Sequence, residues 1–152
     1  DERPNIRVIA TELDADAAAL ARENVTALEF DERVEIVEGD LFDGVPDDAL
    51  PADLIVSNPP YIAESERDEV MREVHDNEPH EALYAGDDGL DVIRRLVPEA
   101  GERLRSGGQL IIEIGYKQGE SVRQLFEDAE FEDVEVRKDY ADHDRVVLGT
   151  RP

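Results

Sequence analysis

The sequence contains no cysteine, and this absence excludes both disulfide bonds and thiolate metal sites. Its three histidines, His75, His80 and His143, are scattered and show no metal-ligand spacing. No stretch approaches the roughly 18 consecutive apolar residues of a membrane-spanning helix, and no charged-then-apolar signal peptide opens the sequence. We therefore expect a cytoplasmic protein of one domain, residues 1–152, with no metal and no membrane partner.

Lysine is nearly absent, since only Lys117 and Lys138 occur among the 16 basic residues. These basic residues are opposed by 40 acidic ones, so that the formal net charge is −24. A field of this sign repels phosphate backbones, and nucleic acid is therefore a poor candidate partner. Acids spread along the whole chain, with arginine preferred over lysine, favour a halophilic protein whose self-repulsion is screened by salt. The alternative is a mesophilic protein that happens to be acidic.

Short β-branched runs alternate with segments of helical periodicity along the chain. Strands are predicted at residues 6–11, 34–38, 53–57, 110–114, 134–137 and 145–149, and helices at residues 17–25, 90–104 and 118–129. Asp14 or Asp16 caps the first helix. Pro98 interrupts or restarts the second helix, and Ser106-Gly107-Gly108 ends it. Residues 64–77 are dominated by charge and indicate a helical excursion or a lid.

The order of these elements predicts an α/β fold. Strands that alternate with helices form a parallel sheet with helices on both of its faces. The last two strands are joined by residues 138–144, a link too short for a crossover helix, so we expect them to pair antiparallel. The expected fold is therefore a doubly wound, mostly parallel sheet with a final antiparallel strand.

A proline pair follows the strand at residues 53–57, in the sequence Ser57-Asn58-Pro59-Pro60-Tyr61. This position is the carboxyl end of a strand, where open α/β sheets bind their ligands. Each proline fixes its own φ and drives the preceding residue into an extended conformation, so the carbonyls of Asn58 and Pro59 are aimed rigidly. The Asn58 amide oxygen and the Pro59 carbonyl can accept both N–H bonds of a planar NH₂ group, while Tyr61 stacks on its plane.

Such a clamp suits the transfer of a methyl group to an amide or aromatic amine nitrogen. The lone pair of that nitrogen is delocalised, and holding both N–H bonds toward oxygen acceptors turns the lone pair toward an electrophile. Positioning of this kind lowers a reaction barrier by several kcal/mol, and the proton can leave after transfer. The alternative is an ordinary rigid turn, because Asn-Pro also favours turn initiation.

Several segments, taken in order, carry a resemblance to one family. They are the strand that ends on Glu12, Gly39-Asp40-Leu41-Phe42, Ser57-Asn58-Pro59-Pro60-Tyr61-Ile62, Glu78-Pro79-His80-Glu81-Ala82-Leu83, Gly86-Asp87-Asp88-Gly89-Leu90-Asp91, Leu110–Gly119 and Asp144–Gly149. Together they resemble the class I S-adenosylmethionine-dependent methyltransferases, and more narrowly the release-factor glutamine-N5 methyltransferases of the HemK/PrmC family. The resemblance implies a Rossmann-like class I methyltransferase fold, truncated before its second strand. It also implies methyl transfer from S-adenosylmethionine to the side-chain amide of a glutamine in a peptide-chain release factor.

The resemblance assigns cofactor-binding roles to four residues. Glu12 accepts hydrogen bonds from the ribose hydroxyls, although the family more often has Asp there; a surface acid is the alternative. Asp40 and Leu41 border the adenine, where Asp40 accepts from the exocyclic amine or else caps the following turn. Asn58 also contacts the cofactor.

The resemblance assigns substrate binding to the proline pair and its neighbours. Asn58, Pro59, Pro60 and Tyr61 bind the glutamine amide, and Asn58, Pro59 and Tyr61 are the expected catalytic residues. Glu78-Pro79 either lines the substrate side or forms an ordinary loop.

Two features of the family are missing from this sequence: the glycine-rich loop after the first strand and the helical substrate-recognition domain. Both are expected before Asp1, so the sequence indicates an incomplete catalytic domain that is weak or inactive alone. We expect such a fragment to be a homodimer or a poorly soluble monomer. Three other functions stay open: a glutamine methyltransferase of a ribosomal protein, a nucleic-acid amine N-methyltransferase, and a non-catalytic Rossmann-like fragment. Nucleic acid is otherwise expected only through a ribosome-associated factor.

Overall fold

The computed structural model describes residues 5–69 and 79–152, and the chain divides into two compact units. The first unit comprises Asp1–Leu50 and the second comprises Pro51–Pro152. Within the described ranges, no helix combines the length and apolar character that crossing a lipid bilayer requires.

The first unit is built around one β-α-β motif. Its elements are β1 (Val8–Glu12), α1 (Ala15–Ala27), β2 (Val34–Glu38) and a 3-10 turn (Asp47–Ala49). The two strands pair in parallel, with Val8 opposite Val34 and Glu12 opposite Glu38. This confirms the predicted order of elements and brings the carboxyl ends of both strands to one edge of the sheet.

Helix α1 begins at the cap that the sequence predicts. The side chain of Asp14 accepts a hydrogen bond from the backbone N–H of Ala17 at 2.7 Å, while Asp16 lies in the first turn. The helix buries Ala18 completely, whereas Leu20 is 58% exposed. A two-stranded sheet covers only a narrow strip of a helix, because neighbouring strands lie about 4.8 Å apart.

The second unit contains a four-stranded mixed sheet. Its elements are β3 (Ala52–Ser57), a 3-10 helix (Glu64–Glu69), α2 (His80–Leu83), α3 (Asp91–Arg103), β4 (Leu104–Glu113), α4 (Gly119–Asp128), β5 (Glu132–Lys138) and β6 (Asp144–Thr150). The strands lie in the order β3-β4-β6-β5. Strands β3 and β4 are parallel, whereas β6 pairs antiparallel with both β4 and β5. The predicted antiparallel pairing of the last two strands is therefore confirmed.

The core of the second unit is made by its sheet and the apolar faces of α3 and α4. The largest fully buried side chains lie at helical spacing on the helices and at alternate positions on the strands: Ile93, Val97, Leu110, Ile112, Ile114, Val122, Phe126 and Val147. The Phe126 ring packs against Phe131, with ring centroids 5.1 Å apart. Leu110 and Ile112 anchor β4 in this core, and the carboxyl end of β4 contributes to the candidate site.

Helix α3 differs from the prediction at Pro98. The helix is continuous through Pro98 and ends at Arg103. Pro98 is exposed, while Leu96, Val97 and Ala100 around it are buried. Burial of this face on both sides of the proline offsets the backbone hydrogen bond that proline removes, so the predicted interruption is wrong.

The glycine pair after α3 also has another role than the predicted one. Residues 105–108 form an irregularity within β4, because Ala52 lies opposite Leu104 while Leu54 lies opposite Gln109. Gly107 has φ of 73°, a left-handed conformation that glycine adopts without strain. Ser106-Gly107-Gly108 therefore bends a strand and does not end the helix.

Candidate functional site

The loop after β3 carries the proline pair at the carboxyl end of that strand. Pro59 is buried, Pro60 and Tyr61 are half-buried, and Asn58 is exposed. The buried Pro59 anchors the loop to the core, while the neighbouring Asn58 amide remains exposed. The exposed Asn58 side chain can therefore contact an incoming group while Pro59 stays buried in the core.

The side chain of Tyr61 is held by the end of β4. Its hydroxyl donates a hydrogen bond to Oε1 of Glu113 at 3.2 Å. Burial, and then the negative charge and hydrogen bond of Glu113, raises the pKa of Tyr61 above its ordinary value. The phenol therefore keeps its proton at neutral pH and acts as a hydrogen-bond donor.

The main-chain carbonyl of Tyr61 is held by Gln118. Nε2 of Gln118 donates to this carbonyl at 2.9 Å and also approaches the carbonyls of Asp88 and Gly89 at 3.3 Å. Oε1 of the same side chain accepts from the backbone N–H of Gly115 at 2.9 Å. One carboxamide thus joins the loop after β3, the turn before α3 and the segment after β4.

The residue after the tyrosine ties the loop to the segment after α2. Ile62 forms a parallel bridge with Tyr84. Its N–H donates to the carbonyl of Leu83 at 3.0 Å, and its carbonyl accepts from the N–H of Ala85 at 3.0 Å. The loop is therefore restrained on both sides of Tyr61.

The charged segment that the sequence marks as an excursion begins directly after this bridge. The N–H of Glu64 donates to the carbonyl of Gly86 at 2.9 Å, and the 3-10 helix Glu64–Glu69 follows. The rest of the predicted excursion, residues 70–77, lies outside the described residues. So does Glu78, while Pro79 is exposed and immediately precedes α2.

A cavity of about 510 Å³ opens beside Tyr61. Its size is typical of small-ligand sites, and much of its lining is polar or charged. The polar lining residues are Tyr61, Ser65, Glu66, Asp87, Asp88, Tyr116, Lys117, Gln118, Ser121 and Arg145. Lys117 Nζ donates to Oε1 of Glu66 at 2.7 Å, so these two residues of the cavity lining form an ion pair with each other.

The predicted cofactor residues of the first unit lie together at the carboxyl edge of its sheet. The N–H of Gly39 donates to the carbonyl of Glu12 at 2.9 Å, which places the turn that contains Asp40 and Leu41 beside the end of β1. Glu12 is half-buried, and its Oε1 accepts from the N–H of Asp14 at 2.9 Å. The structure therefore brings Glu12, Asp40 and Leu41 into one neighbourhood.

Leu41 has an unusual backbone conformation. Its φ is 51°, in the left-handed region, where an ordinary side chain costs about 1–2 kcal/mol. The turn is closed by the N–H of Asp43, which donates to the carbonyl of Asp40 at 2.9 Å. Backbone strain of this kind is concentrated at functional sites, and here it coincides with a predicted adenine-binding position.

Two residues that hold the loop are not predicted from the sequence. Glu113 interrupts the apolar run Leu110–Ile114, and a charged residue within such a run is a pattern from which its role could have been predicted. No local pattern marks Gln118, because its partner Tyr61 lies 57 residues earlier in the chain.

The fold and the loop define a class of protein. The chain is similar to the solved methyltransferase from Pyrococcus furiosus, with a TM-score of 0.68 and 19% identity, over 97% of this chain and 64% of that one. It is also similar to the T. thermophilus 16S rRNA N2 G1207 methyltransferase in complex with AdoMet and guanosine. There the TM-score is 0.63 at 19% identity, over 96% of this chain and 32% of that one. The fold is that of the class I methyltransferases, as predicted.

Residues 1–86 match the family described as Methyltransferase small domain, and the chain belongs to this family. It is also 41% identical over 150 residues to the release factor glutamine methyltransferase of Caulobacter vibrioides, covering 99% of this chain and 51% of that protein. The resemblance to release-factor glutamine methyltransferases is therefore confirmed in sequence. The chain spans about half the length of this relative.

Proposed function

We propose that this chain is part of an enzyme that transfers a methyl group from S-adenosylmethionine to a glutamine side chain of a peptide-chain release factor. The observation that carries the proposal is the anchored loop of Asn58 and Tyr61 at the end of β3, fixed by Glu113 and Gln118. It occurs in a chain 41% identical to a release factor glutamine methyltransferase. The net charge of −24 argues against the nucleic-acid alternative, because a phosphate backbone is repelled.

The loop binds the substrate amide through oxygen acceptors. The side-chain oxygen of Asn58 and the carbonyl of Pro59 accept the two N–H bonds of the glutamine NH₂ group. Pro60 has no N–H and forces Pro59 into an extended conformation, which fixes the direction of that carbonyl. The ring of Tyr61 stacks on the amide plane and holds it in place.

This arrangement prepares the nitrogen for methylation. When bound, S-adenosylmethionine would supply a methyl group on a positively charged sulfur, which would keep the electrons of the broken carbon–sulfur bond and leave as a neutral thioether. Asn58 and Pro59 hold both N–H bonds in the amide plane, so the nitrogen lone pair, which is perpendicular to that plane, is available on the face that Tyr61 leaves open. After transfer, a proton leaves the nitrogen for solvent. Tyr61 takes no part as a base, because its raised pKa keeps its own proton in place.

The residues of the first unit fit the cofactor's nucleoside. A carboxylate offers about four acceptor positions, and the N–H of Asp14 occupies one on Glu12, which leaves capacity for two ribose hydroxyls. Asp40 accepts from the exocyclic amine of adenine, and the Leu41 side chain lies against the ring.

Asn58, in the second unit, has an NH₂ group as well as its oxygen, so it can also donate a hydrogen bond to the cofactor.

The proposal extends to the state of the protein. We infer that the chain belongs to a halophilic cytoplasmic enzyme and that residues 1–152, which span about half the length of the Caulobacter vibrioides relative, are weakly active alone. Among the described strands, β3 lies at the edge of its sheet, and Leu54 and Val56 on it are 50% and 67% exposed. An apolar strand edge of this kind supports self-association.

Mass spectrometry tests the substrate. The full-length protein that contains this chain is incubated with S-adenosylmethionine in three separate reactions. One contains a release factor, one a ribosomal extract and one DNA. We expect one added methyl group on a glutamine of the release factor only. Modification of a ribosomal protein or of DNA without the release factor would contradict the proposal.

A further inference from the structure

Gln118 occupies the N-cap position of α4 without serving as a cap. Its side chain makes no capping hydrogen bond to the helix. The carboxamide instead turns to the loop after β3, where Nε2 donates to the carbonyl of Tyr61 at 2.9 Å. Its contacts at 3.3 Å to Asp88 and Gly89 are longer. The strongest donor interaction of Gln118 is therefore the one with the loop.

Two glycines make room for this contact. A Cβ on Gly89, whose φ is 73°, would overlap the carbonyl oxygen of Tyr61 and lie 2.8 Å from Nε2 of Gln118. A Cβ on Gly115 would lie 3.0 Å from Oε1 of Gln118 and 3.4 Å from Cδ2 of the Tyr61 ring. The Gln118 carboxamide thus packs closely against both glycines, and the Tyr61 ring packs against Gly115.

Tyr61 is consequently restrained at two ends. Gln118 holds its main-chain carbonyl, and Glu113 holds its hydroxyl at 3.2 Å. Removal of the Gln118 donor would leave the half-buried carbonyl without this bond. The loop would then move to recover a hydrogen bond with water.

We propose that Gln118 is a positioning residue for methyl transfer, which fixes the Tyr61 ring through its main-chain carbonyl. This inference rests on the proposed function, in which the Tyr61 ring stacks on the glutamine amide. It assigns Gln118 no contact with the substrate or the cofactor. Its effect on the reaction passes through Tyr61.

Kinetics of the full-length protein provide the first test. Gln118→Met keeps the length of the side chain and removes its hydrogen bonds, and Gln124→Met is the matched control. Gln124 lies on the same helix, and its Nε2 donates at 2.9 Å to an exposed partner, Asp128. We expect Gln118→Met to lower kcat/KM for the release factor by about tenfold or more, with cofactor affinity unchanged. Gln124→Met should leave both unchanged.

A double substitution separates positioning from general stability. In a Tyr61→Ala background the ring is absent, so Gln118→Met should lower kcat/KM by no more than about twofold. An equal relative decrease in kcat/KM in both backgrounds would overturn the inference. If Gln118→Met does not fold, Gln118→Glu replaces it, because the carboxylate keeps an acceptor for Gly115 and loses the donor to Tyr61.

Fluorine NMR tests the inference without any substrate. In protein labelled with fluorotyrosine, the Tyr61 signal is assigned by its loss in Tyr61→Phe, and Tyr140, at 113% relative exposure, marks the position of a solvated ring. We expect Gln118→Met to shift the Tyr61 signal toward that of Tyr140, and Gln124→Met to leave it in place. An unmoved Tyr61 signal would overturn the inference. Absence of release-factor methylation by the unsubstituted protein would instead count against the proposed function.

Discussion

The hydroxyl of Tyr61 donates a hydrogen bond to Oε1 of Glu113 at 3.2 Å and joins the loop after β3 to the last residue of β4. The two strands are parallel neighbours in one sheet, so this bond spans their carboxyl ends. It keeps a neutral phenol beside a carboxylate. The titration of that phenol can be followed in solution.

Tyr61→Phe should gain stability relative to the unsubstituted protein as the pH rises past about 10, the ordinary pKa of tyrosine. Burial and then Glu113 raise the pKa of Tyr61 in the folded state, so the unfolded chain loses the proton first. The stability that Tyr61 contributes is therefore present below about pH 10 and is lost as the pH rises through the raised pKa. Phenylalanine does not titrate.

Urea unfolding at about pH 8 and at steps above about pH 10 measures this difference. Tyr140→Phe serves as the control, because Tyr140 is fully exposed. A free-energy difference between Tyr61→Phe and the unsubstituted protein that stays constant with pH would contradict the assignment.

Asn58→Ala in the full-length protein should reduce turnover by roughly 100-fold, which is far more than it weakens cofactor binding. The substitution removes an acceptor that matters most when the amide is aligned for transfer. Steady-state kinetics on the release factor and calorimetry with S-adenosylmethionine measure the two effects. Asn24→Ala, at an exposed position of α1, is the control. Near-normal turnover of Asn58→Ala would remove Asn58 from the mechanism.

Glu12→Ala should weaken S-adenosylmethionine binding by roughly 1.5–3 kcal/mol, the range for hydrogen bonds to a charged group. The carboxylate is the proposed acceptor for the ribose hydroxyls, and alanine supplies none. Calorimetric titration of the full-length protein measures the change, and Glu23→Ala, at an exposed position of α1, controls for the loss of one charge. Equal affinity in the Glu12 and Glu23 variants would mean that Glu12 is only a surface acid.

The protein should become more stable as potassium chloride is raised into the molar range. At a net charge of −24 the folded chain repels itself, and salt screens that repulsion. Exposed ion pairs such as Arg105 with Asp53 at 2.6 Å are weakened by the same salt, but each contributes little. The melting temperature at low and at molar potassium chloride decides between the two effects. A flat or falling value would count against a halophilic protein.

The 152-residue chain on its own should self-associate. Val56 is 67% exposed on β3, an edge strand that pairs with β4 alone among the described strands. Sedimentation velocity measures the association, and Val56→Lys should weaken it by adding a charge to that face. Leu28→Lys is a matched control, because Leu28 is 63% exposed but lies at the end of α1. A well-behaved monomer at high concentration would refute this expectation.

The strands and the antiparallel end of the sheet could be predicted because their signals are local. The strand at 34–38 has the predicted bounds, and the short link before β6 fixed its direction. The predictions at Pro98 and Gly107 were wrong because tertiary packing determines the backbone structure at both residues. Burial around Pro98 keeps α3 continuous, and the pairing of β4 with β3 absorbs Gly107.

The same distinction applies to the candidate site. Asn58 and Tyr61 are neighbours in sequence, so their loop could be predicted from the proline pair. The bonds that hold it come from Glu113 and Gln118, which lie 52 and 57 residues away from Tyr61. Contacts at such separations depend on the register of β3 and β4, which no local pattern specifies.

The left-handed conformation of Leu41 sets a conflict between folding and binding. Glycine at this position would relieve a backbone strain of about 1–2 kcal/mol, and a screen for thermal stability alone would favour Leu41→Gly where that relief exceeds the unfolded-state entropy of glycine and the lost burial of the leucine side chain. The same substitution removes the side chain proposed to lie against the adenine. Laboratory evolution of this protein toward heat resistance would therefore tend to sacrifice nucleoside affinity at residue 41, unless ligand binding is selected in parallel.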